Sequence, residues 1–436
     1  MDRTPGSPLL LQLAAALPAD GLIADAERLS PYASDGLSMY RELPLAVALP
    51  QTAAEAQSVL RVCHAAGVPV IARGAGTGLA GGALPRSDAV VLSLARLKRI
   101  VRVDPLARVA VVEPGVRNAA ISEAAAAYGL YYAPDPSSQI ACTIGGNVAE
   151  NSGGVHCLKY GLTVHNVMGV RGLLADGSEL VIGGAAPDAS GLDVLALLIG
   201  SEGLLAVITE VTVRLLPRPR VAQVVMASFA SVEDAGDAVA GIIGAGIIPA
   251  GLEMMDALAT RAVEDFVHAG YPLDAAAILL AESDGTADEV ADEIARIEAV
   301  CRQHGATSLT TSQSEAQRLK LWAGRKAAFP AVGRITPDYY CMDGTIPKKH
   351  LSAVLRRIAE LSERHGEHGV GVEKLDAMCV QFVAPELAAF HAVKAAFDPA
   401  GVLNPGKAVP TLHRCAEMGA VHVHGGQVLH PQLPRF

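Results

Sequence analysis

Three segments of the chain are rich in glycine and short polar side chains, a composition typical of loops that wrap closely around a ligand. They cover residues 73–82 (RGAGTGLAGG), 134–161 and 199–203 (IGSEG). Because glycine has no Cβ, the backbone can approach a ligand there and turn amide N–H groups toward a phosphate. The first segment alone is consistent with phosphate binding, but also with a turn that binds nothing. The five glycines within 134–161 favour a ligand.

A Rossmann dinucleotide site is excluded, although Gly76, Gly78 and Gly81 match its GxGxxG spacing. A Rossmann loop opens a helix and then reaches a second strand, with an acidic residue about 20 positions on. Here Pro85 follows at once and the next apolar run starts near Ala89. No crossover helix fits between them.

Two further segments carry side chains suited to acid–base and anion chemistry. In the turn GEHG (366–369), Glu367 and His368 place a possible ligand and a possible base side by side. In WAGRK (322–326), the Arg325 guanidinium can bind a carboxylate through two parallel hydrogen bonds. Taken alone, both segments are better explained as a polar turn and a surface cation.

Composition limits the class of protein. The 436 residues are enough for two or three domains, and 51% are hydrophobic, so a large core is expected. A formal net charge of −10 disfavours nucleic-acid binding. The seven cysteines form no CxxC pair, which indicates reduced thiols in a cytoplasmic protein without an iron–sulfur cluster of its own.

No apolar run approaches the roughly 18 residues that cross a bilayer. The run at 9–17 follows Ser7-Pro8, an N-cap and a proline in the first helical turn. A short helix is therefore predicted there rather than a signal peptide.

The pattern of strands and helices predicts two domains. The parts are a helical lead-in at 1–40, a first domain at 41–219, a second domain at 220–383, and a C-terminal helix, turn and tail at 384–436. Pro217-Arg-Pro219 is the candidate linker, and Asp176-Gly177 predicts a hairpin in the first domain. The second domain reads as α+β with its helices on one face of the sheet.

Taken together, five segments carry a family resemblance. RGAGTGLAGG, PDPSSQIACTIGGNVAENSGG, IGSEG, GEHGVGVEKL and FDPAGVLNPGK occur in this order over about residues 20–430. In that order they resemble the vanillyl-alcohol oxidase superfamily of FAD-linked oxidases, and within it the glycolate oxidase D-subunit type and the related D-lactate and D-2-hydroxyglutarate dehydrogenases. The resemblance implies an α+β protein: a two-subdomain FAD-binding domain, a shortened cap domain with an antiparallel sheet, and a C-terminal helical segment.

The resemblance also implies which residues contact FAD. They are Arg73, Gly74, Ala75, Gly76, Thr77 and Gly78 at the pyrophosphate, Pro134, Ser138, Thr143, Gly145, Gly146, Ser152 and Gly154 around the pyrophosphate, ribityl chain and isoalloxazine, Glu202, Gly203 and Ile208 near the adenine, and Asn404 near the flavin. Members with covalent flavin often have a histidine in the first loop. Thr77 lies there in this chain, so noncovalent FAD is expected.

On the reacting side, the resemblance makes Arg325 the cation that binds the substrate carboxylate, Glu367 a divalent-metal ligand and His368 the base. The expected reaction is oxidation of a small 2-hydroxy acid such as glycolate or D-lactate, with a metal (zinc or manganese) on the hydroxyl. Between the helix that corresponds to 347–365 and the EHG turn, relatives have a further segment with an H-x-G-D-G-N-x-H motif that supplies two ligand histidines, and this chain lacks it near 365–367. The expected metal site of this chain is therefore incomplete.

The same resemblance implies partners for the chain, and two alternative functions stay open. Because the chain has no cluster motif, electrons are expected to pass to partner FAD and iron–sulfur subunits or to a quinone, with peripheral association at the inner face of the membrane. A second reading is an FAD-binding but catalytically impaired subunit, favoured by the missing segment. A third is a UDP-N-acetylenolpyruvoylglucosamine reductase, against which the EHG and LNPGK motifs argue.

Overall fold

A computed structural model describes residues 7–186, 191–335, 344, 346–347, 350–365, 384–403, 423–424 and 427–428. The strands are β1 Leu22–Ile23, β2 Ala46–Ala48, β3 Val70–Arg73, β4 Val90–Ser93, β5 Ile100–Asp104, β6 Val109–Val112, β7 Leu130–Tyr131, β8 Val167–Leu173, β9 Glu179–Gly183, β10 Val207–Arg214, β11 Leu216–Pro217, β12 Val221–Phe229, β13 Gly251–Asp256, β14 Ala277–Gly285, β15 Ala306–Thr311, β16 Val423–His424 and β17 Gln427–Val428.

The helices are α1 Pro8–Ala15, α2 Ala26–Leu29, α3 Ala53–Ala66, α4 Asn118–Ala125, α5 Ile144–Glu150, α6 Cys157–Tyr160, α7 Thr163–Asn166, α8 Val194–Leu198, α9 Val232–Gly244, α10 Ala257–Val267, α11 Ala287–Gln303, α12 Glu315–Lys326, α13 Ala328–Ile335, α14 Leu351–His365 and α15 Ala384–Phe397, with 3-10 turns at Ser30–Tyr32 and Ala126–Tyr128. Side-chain caps begin the longer ones: Thr52, Ser231, Asp256, Thr286 and Ser314 each accept a hydrogen bond from the third residue of the helix that follows.

The first domain contains two sheets. One has the order β1-β2-β4-β3, with β2, β4 and β3 parallel, and α1 and α3 cover its core. The other has the order β5-β6-β10-β8-β9 and is antiparallel throughout. The hairpin predicted about Asp176-Gly177 is confirmed as β8–β9. The first glycine-rich segment follows β3 of one sheet, and the third precedes β10 of the other.

The second domain is built on the antiparallel sheet β13-β14-β12-β15. Alternate residues of β12 and β14 point to opposite cores: Phe229 and Leu279 pack with α9 and α11, whereas Met226 and Leu280 pack with α10, α12 and α13. The prediction of helices on one face is therefore wrong. The near-continuous apolar run of β14, AILLA, is typical of a strand buried on both faces.

The C-terminal segment returns to the first domain. Leu403 forms a parallel bridge with Val70 of β3, and the Lys394 ammonium of α15 donates to the carbonyls of Leu204 and Leu403 at 2.8 and 2.7 Å. This return places Leu403 beside β3, the strand that leads into the first glycine-rich segment. Within the described part of the chain, no helix has the length and apolar character needed to span a membrane.

Candidate cofactor and substrate site

The three glycine-rich segments line one cavity of about 650 Å³. Most of the residues predicted to contact a cofactor are in its lining: Arg73, Gly74, Ala75, Gly76, Thr77, Gly78, Ser138, Thr143, Gly145, Gly146, Ser152, Gly154, Glu202, Gly203 and Ile208. Pro134 lies behind this wall, where its carbonyl accepts a hydrogen bond of 2.8 Å from Asn118 Nδ2. Asn404 lies outside the described residues.

The side chain of Arg73 packs against the first glycine-rich segment. Its Nη1 donates to the carbonyls of Ser34 and Ala83 at 2.8 and 3.5 Å. Gly76 has a φ of +71°, and a Cβ on it would lie 2.3 Å from the Arg73 guanidinium. The loop therefore turns tightly over the arginine, and only glycine can occupy its apex without strain.

Glycines also keep the first and second segments in close contact. A Cβ on Gly74 would lie 2.2 Å from Thr143 Oγ1, and one on Gly82 would lie 2.5 Å from Glu150 Oε1. Thr143 in turn begins α5, where its hydroxyl accepts from the Gly146 amide at 3.3 Å. The result is a deep cleft with backbone walls, which suits a long, flat ligand that carries phosphates.

The second domain closes the far end of the cavity with Lys326, Phe329 and Pro330. Lys326 Nζ lies 3.9 Å from Asp135 Oδ2. Arg325, the predicted carboxylate-binding residue, is not in the lining; its Nε donates to Glu253 Oε2 at 2.8 Å. Glu367 and His368 lie outside the described residues, so their place relative to Arg325 stays a prediction.

A buried set of charges that sequence analysis missed joins the two domains beside this end of the cavity. We call Asp135, His156, Glu282 and Arg318 the interdomain cluster. His156 Nδ1 is 2.9 Å from Asp135 Oδ2 and its Nε2 is 3.3 Å from Glu282 Oε1. Arg318 Nη1 donates to both oxygens of Glu282 at 3.0 and 2.8 Å.

The side chains of the cluster stay ionised because each of them lies next to a group of opposite charge. Burial disfavours the imidazolium of His156, but hydrogen bonds to Asp135 and Glu282 outweigh this and raise its pKa to about 9. Burial likewise opposes ionisation of Glu282, yet His156 and Arg318 hold its pKa below the usual value. Both groups are therefore charged at neutral pH.

A second pair of contacts lies beside the cluster. Lys159 Nζ donates to Asp284 Oδ1 at 2.6 Å, and the Tyr160 hydroxyl donates to the same carboxylate at 2.7 Å. Glu282 and Asp284 both lie at the end of β14, in the segment AESD. Acidic side chains at the end of a fully buried strand were the available sequence signal for this interface.

No group of three or more His, Cys, Asp or Glu side chains among the described residues could hold a metal ion. The four described cysteines, Cys63, Cys142, Cys157 and Cys301, are free thiols. Five histidines could in principle replace the missing ligands, although none is the preferred candidate. His350 is exposed, and the side chains of His365, His422, His424 and His430 lie outside the described residues.

Comparison with known proteins identifies two family domains. The family described as FAD binding domain matches residues 44–183, and the C-terminal domain of FAD linked oxidases matches 218–366 and 365–408. The chain is 52% identical to glycolate oxidase subunit GlcD of Escherichia coli K12, over 100% of this chain and 97% of that protein. It is 33% identical to the Bacillus subtilis GlcD (86% and 91%) and 29% identical to D-lactate dehydrogenase of Archaeoglobus fulgidus (84% and 91%).

Solved structures share the fold. 4-ethylphenol oxidase from Gulosibacter chungangensis superposes with a TM-score of 0.76 at 16% identity, over 92% of this chain and 96% of that chain. An alkyldihydroxyacetonephosphate synthase superposes with a TM-score of 0.73 at 17% identity, over 92% and 86%. Both superpositions cover the first and second domains, so known proteins share this two-domain architecture.

The alignments also locate a deletion. The alignment with the Escherichia coli protein extends over 487 residues, 51 more than the 436 of this chain. The match to the C-terminal domain breaks at 365–366, immediately before Glu367. This is where sequence analysis places the missing segment with the two ligand histidines.

Proposed function

The chain belongs to the FAD-linked oxidases, and from this membership we propose that it oxidises a small 2-hydroxy acid, glycolate or D-lactate, to the 2-oxo acid. FAD is the cofactor of the family to which both of its matched domains belong. When bound, FAD supplies the acceptor for the hydride that leaves the α-carbon. The cavity lined by all three glycine-rich segments is the observation that carries this proposal.

The lining fits FAD in size and chemistry. Loops whose glycines leave no room for a Cβ present backbone amides to a pyrophosphate, as at Gly74 and Gly82. The other end, at Ser152 and Gly154, faces the second domain, where a substrate would meet the flavin ring. We assign the predicted lining residues to FAD on this basis.

We expect FAD to be held without a covalent bond, because Thr77 occupies the position of a tethering histidine. Purified protein should be yellow, and precipitation with acid should leave all of the flavin in the supernatant. Absorbance of the two fractions at flavin wavelengths measures this. Flavin that stays in the pellet contradicts the noncovalent assignment, and a colourless protein that cannot be reconstituted contradicts FAD binding itself.

On the substrate side we propose that Arg325 binds the carboxylate and that His368 accepts the hydroxyl proton. Among the described residues, Arg325 donates to Glu253 through Nε, and we assign the Nη1 and Nη2 edge of the guanidinium to the substrate. A planar guanidinium suits a carboxylate because it donates two parallel hydrogen bonds. Histidine suits the proton because its usual pKa is near neutral.

The substitution Arg325→Lys tests the carboxylate role. Lysine keeps the charge but loses the planar fork, so kcat/KM should fall by a factor equivalent to about 1.5–3 kcal/mol. Steady-state kinetics with glycolate and D-lactate measure the change, and FAD content should stay constant. Arg261→Lys, on an exposed position of α10, is the matched control. Equal kinetics in the Arg325 variant and the parent would show that Arg325 is a surface cation.

We propose that electrons leave through other chains. The similar proteins named GlcD are subunits of glycolate oxidase, and this chain has no CxxC pair for an iron–sulfur cluster. The acceptor would be partner FAD and iron–sulfur subunits or a quinone, with the assembly peripheral to the inner face of the membrane. Co-purification of the tagged chain from its native host, with iron analysis of the eluate, tests this.

A second candidate function is that of an FAD-binding subunit with an impaired metal site. The observation that favours it is the break in the domain match directly before Glu367. One carboxylate holds a divalent ion weakly, because a catalytic metal usually has about three protein ligands. Metal analysis together with turnover assays distinguishes the two functions.

A further inference from the structure

The interdomain cluster lies between the wall of the cavity and the core of the second domain. Asp135 belongs to the segment that continues into the lining residues Pro136 and Ser138. Glu282 is only 1% exposed and lies on β14, at the centre of the second domain's sheet. His156 hydrogen-bonds to both carboxylates and is the group that joins the two sides.

Asp135 also sets the position of the opposite lining segment. A Cβ on Gly154 would lie 2.5 Å from the backbone carbon and oxygen of Asp135, so the two segments touch with no space between them. The His156 amide donates to Asp135 Oδ1 at 3.2 Å, which fixes the chain just after Gly154. Movement of Asp135 would therefore move the lining at both 136–138 and 152–154.

A neutral interface would be the simpler way to hold two domains together. Buried charges carry a desolvation cost that apolar packing avoids, and their gain is a defined geometry. In the cluster the charges alternate in sign from Arg318 to Glu282, His156 and Asp135, and Lys326 follows at the cavity. The alternation requires His156 to be a cation, since a neutral imidazole has a single N–H and could donate to only one of the two carboxylates.

We propose that His156 is a positioning residue: as an imidazolium it ties Asp135 to Glu282 across the domain interface and so fixes the cavity wall against which the cofactor lies. This inference rests on the proposed function to the extent that the cavity holds FAD. His156 acts through Asp135 and the wall, and needs no contact with substrate.

The groups that face His156 from each neighbouring element determine its titration. Asp135 faces Nδ1, Glu282 of β14 faces Nε2, and the Trp322 ring of α12 lies 6.3 Å away, centroid to centroid. Beyond these groups, Arg318 pairs with the carboxylate of Glu282, and Lys326 lies near the carboxylate of Asp135. Since its folded pKa of about 9 is above the usual 6.5, the contribution of His156 is complete below pH 6.5 and is lost as pH rises through about 9.

The test is the dissociation constant for FAD as a function of pH, with wild-type protein and His156→Gln. FAD is removed from the full chain and added back, and quenching of flavin fluorescence reports binding. For the wild type we expect the constant to rise at least tenfold between pH 7 and pH 10. The glutamine variant should bind at least tenfold more weakly at pH 7 and show no such rise.

Two further variants make the result decisive. His268→Asn, at an exposed histidine with φ of +52° that asparagine tolerates, should keep the wild-type profile. Glu282→Gln keeps the shape of the side chain but removes one charge from His156, so the midpoint of the wild-type rise should move to lower pH. This variant decides the matter if His156→Gln does not fold.

A wild-type constant that does not change with pH overturns the proposal. So does a His156→Gln variant that keeps the wild-type affinity and slope, or a Glu282→Gln midpoint that stays in place. Because FAD binding is measured without substrate, absence of 2-hydroxy-acid turnover would contradict the proposed function and leave this result unaffected.

Discussion

Replacing Glu282 by alanine is expected to lower the free energy of unfolding of the second domain by about 3–5 kcal/mol. The carboxylate accepts hydrogen bonds from Arg318 and from the Trp322 indole, and it contacts His156. Without it, two cations remain in a buried site with too little negative charge. The expected loss in the free energy of unfolding is larger than the stabilisation that these contacts contribute, because the buried cations left behind cannot regain their hydration.

Trp322 makes this prediction easy to measure. It is the single tryptophan of the chain and it donates directly to Glu282, so its fluorescence reports on the interface. Denaturant unfolding of the variant should show an earlier transition in this signal. The control Asp292→Ala removes an exposed partner of Arg296 at 3.6 Å and should cost less than about 1 kcal/mol. A Glu282→Ala effect as small as that of the control would contradict a buried ion cluster.

Local patterns predicted most elements of the fold, because caps, turns and periodicity act over a few residues. The short helix predicted after Ser7-Pro8 is α1, and the C-terminal helix predicted from residue 384 is α15. The glycine-rich segments were recognisable as a site since their spacing has no role in ordinary packing. The two sheets of the first domain bring these segments together around one cavity.

Contacts between distant segments were beyond the sequence. His156 and Glu282 are 126 positions apart, and nothing local marks them as partners. Lys326 lines the cavity whereas its neighbour Arg325 pairs with Glu253, because consecutive side chains of a helix point about 100° apart. The two-sided burial of β14 was readable from its apolar run AILLA, which the prediction of helices on one face overlooked.

The segment absent before Glu367 is expected to decide whether the chain is an efficient enzyme. As it stands, the chain should bind FAD, hold zinc or manganese weakly, and turn over 2-hydroxy acids far more slowly than a chain that has the segment. A metal on the substrate hydroxyl lowers the pKa of that hydroxyl and orients it. Glu367 is the one predicted ligand and the described residues contain no metal cluster, so we expect that assistance to be weak.

Restoring the segment should therefore restore catalysis. We expect insertion of the segment of the Escherichia coli relative that carries the H-x-G-D-G-N-x-H motif, between Gly366 and Glu367, to raise kcat/KM for glycolate by at least about a thousandfold, equivalent to about 4 kcal/mol. The gain should require added metal and vanish with a chelator. FAD content should be equal before and after insertion, because most of the cavity lining belongs to the first domain.

A control insertion distinguishes the effect of the metal ligands from the effect of the added chain length. The same insertion with both histidines of its H-x-G-D-G-N-x-H motif changed to alanine restores the chain length and any strand of the segment, but not the metal ligands. It should bind FAD and remain slow, with less than one equivalent of metal. Stoichiometric metal and robust metal-dependent turnover in the parent chain would refute the prediction and point to His350 or the histidines of the tail as replacement ligands. A fast double-alanine insertion would instead show that the segment acts by shaping the second domain, since its geometry would then suffice without the ion.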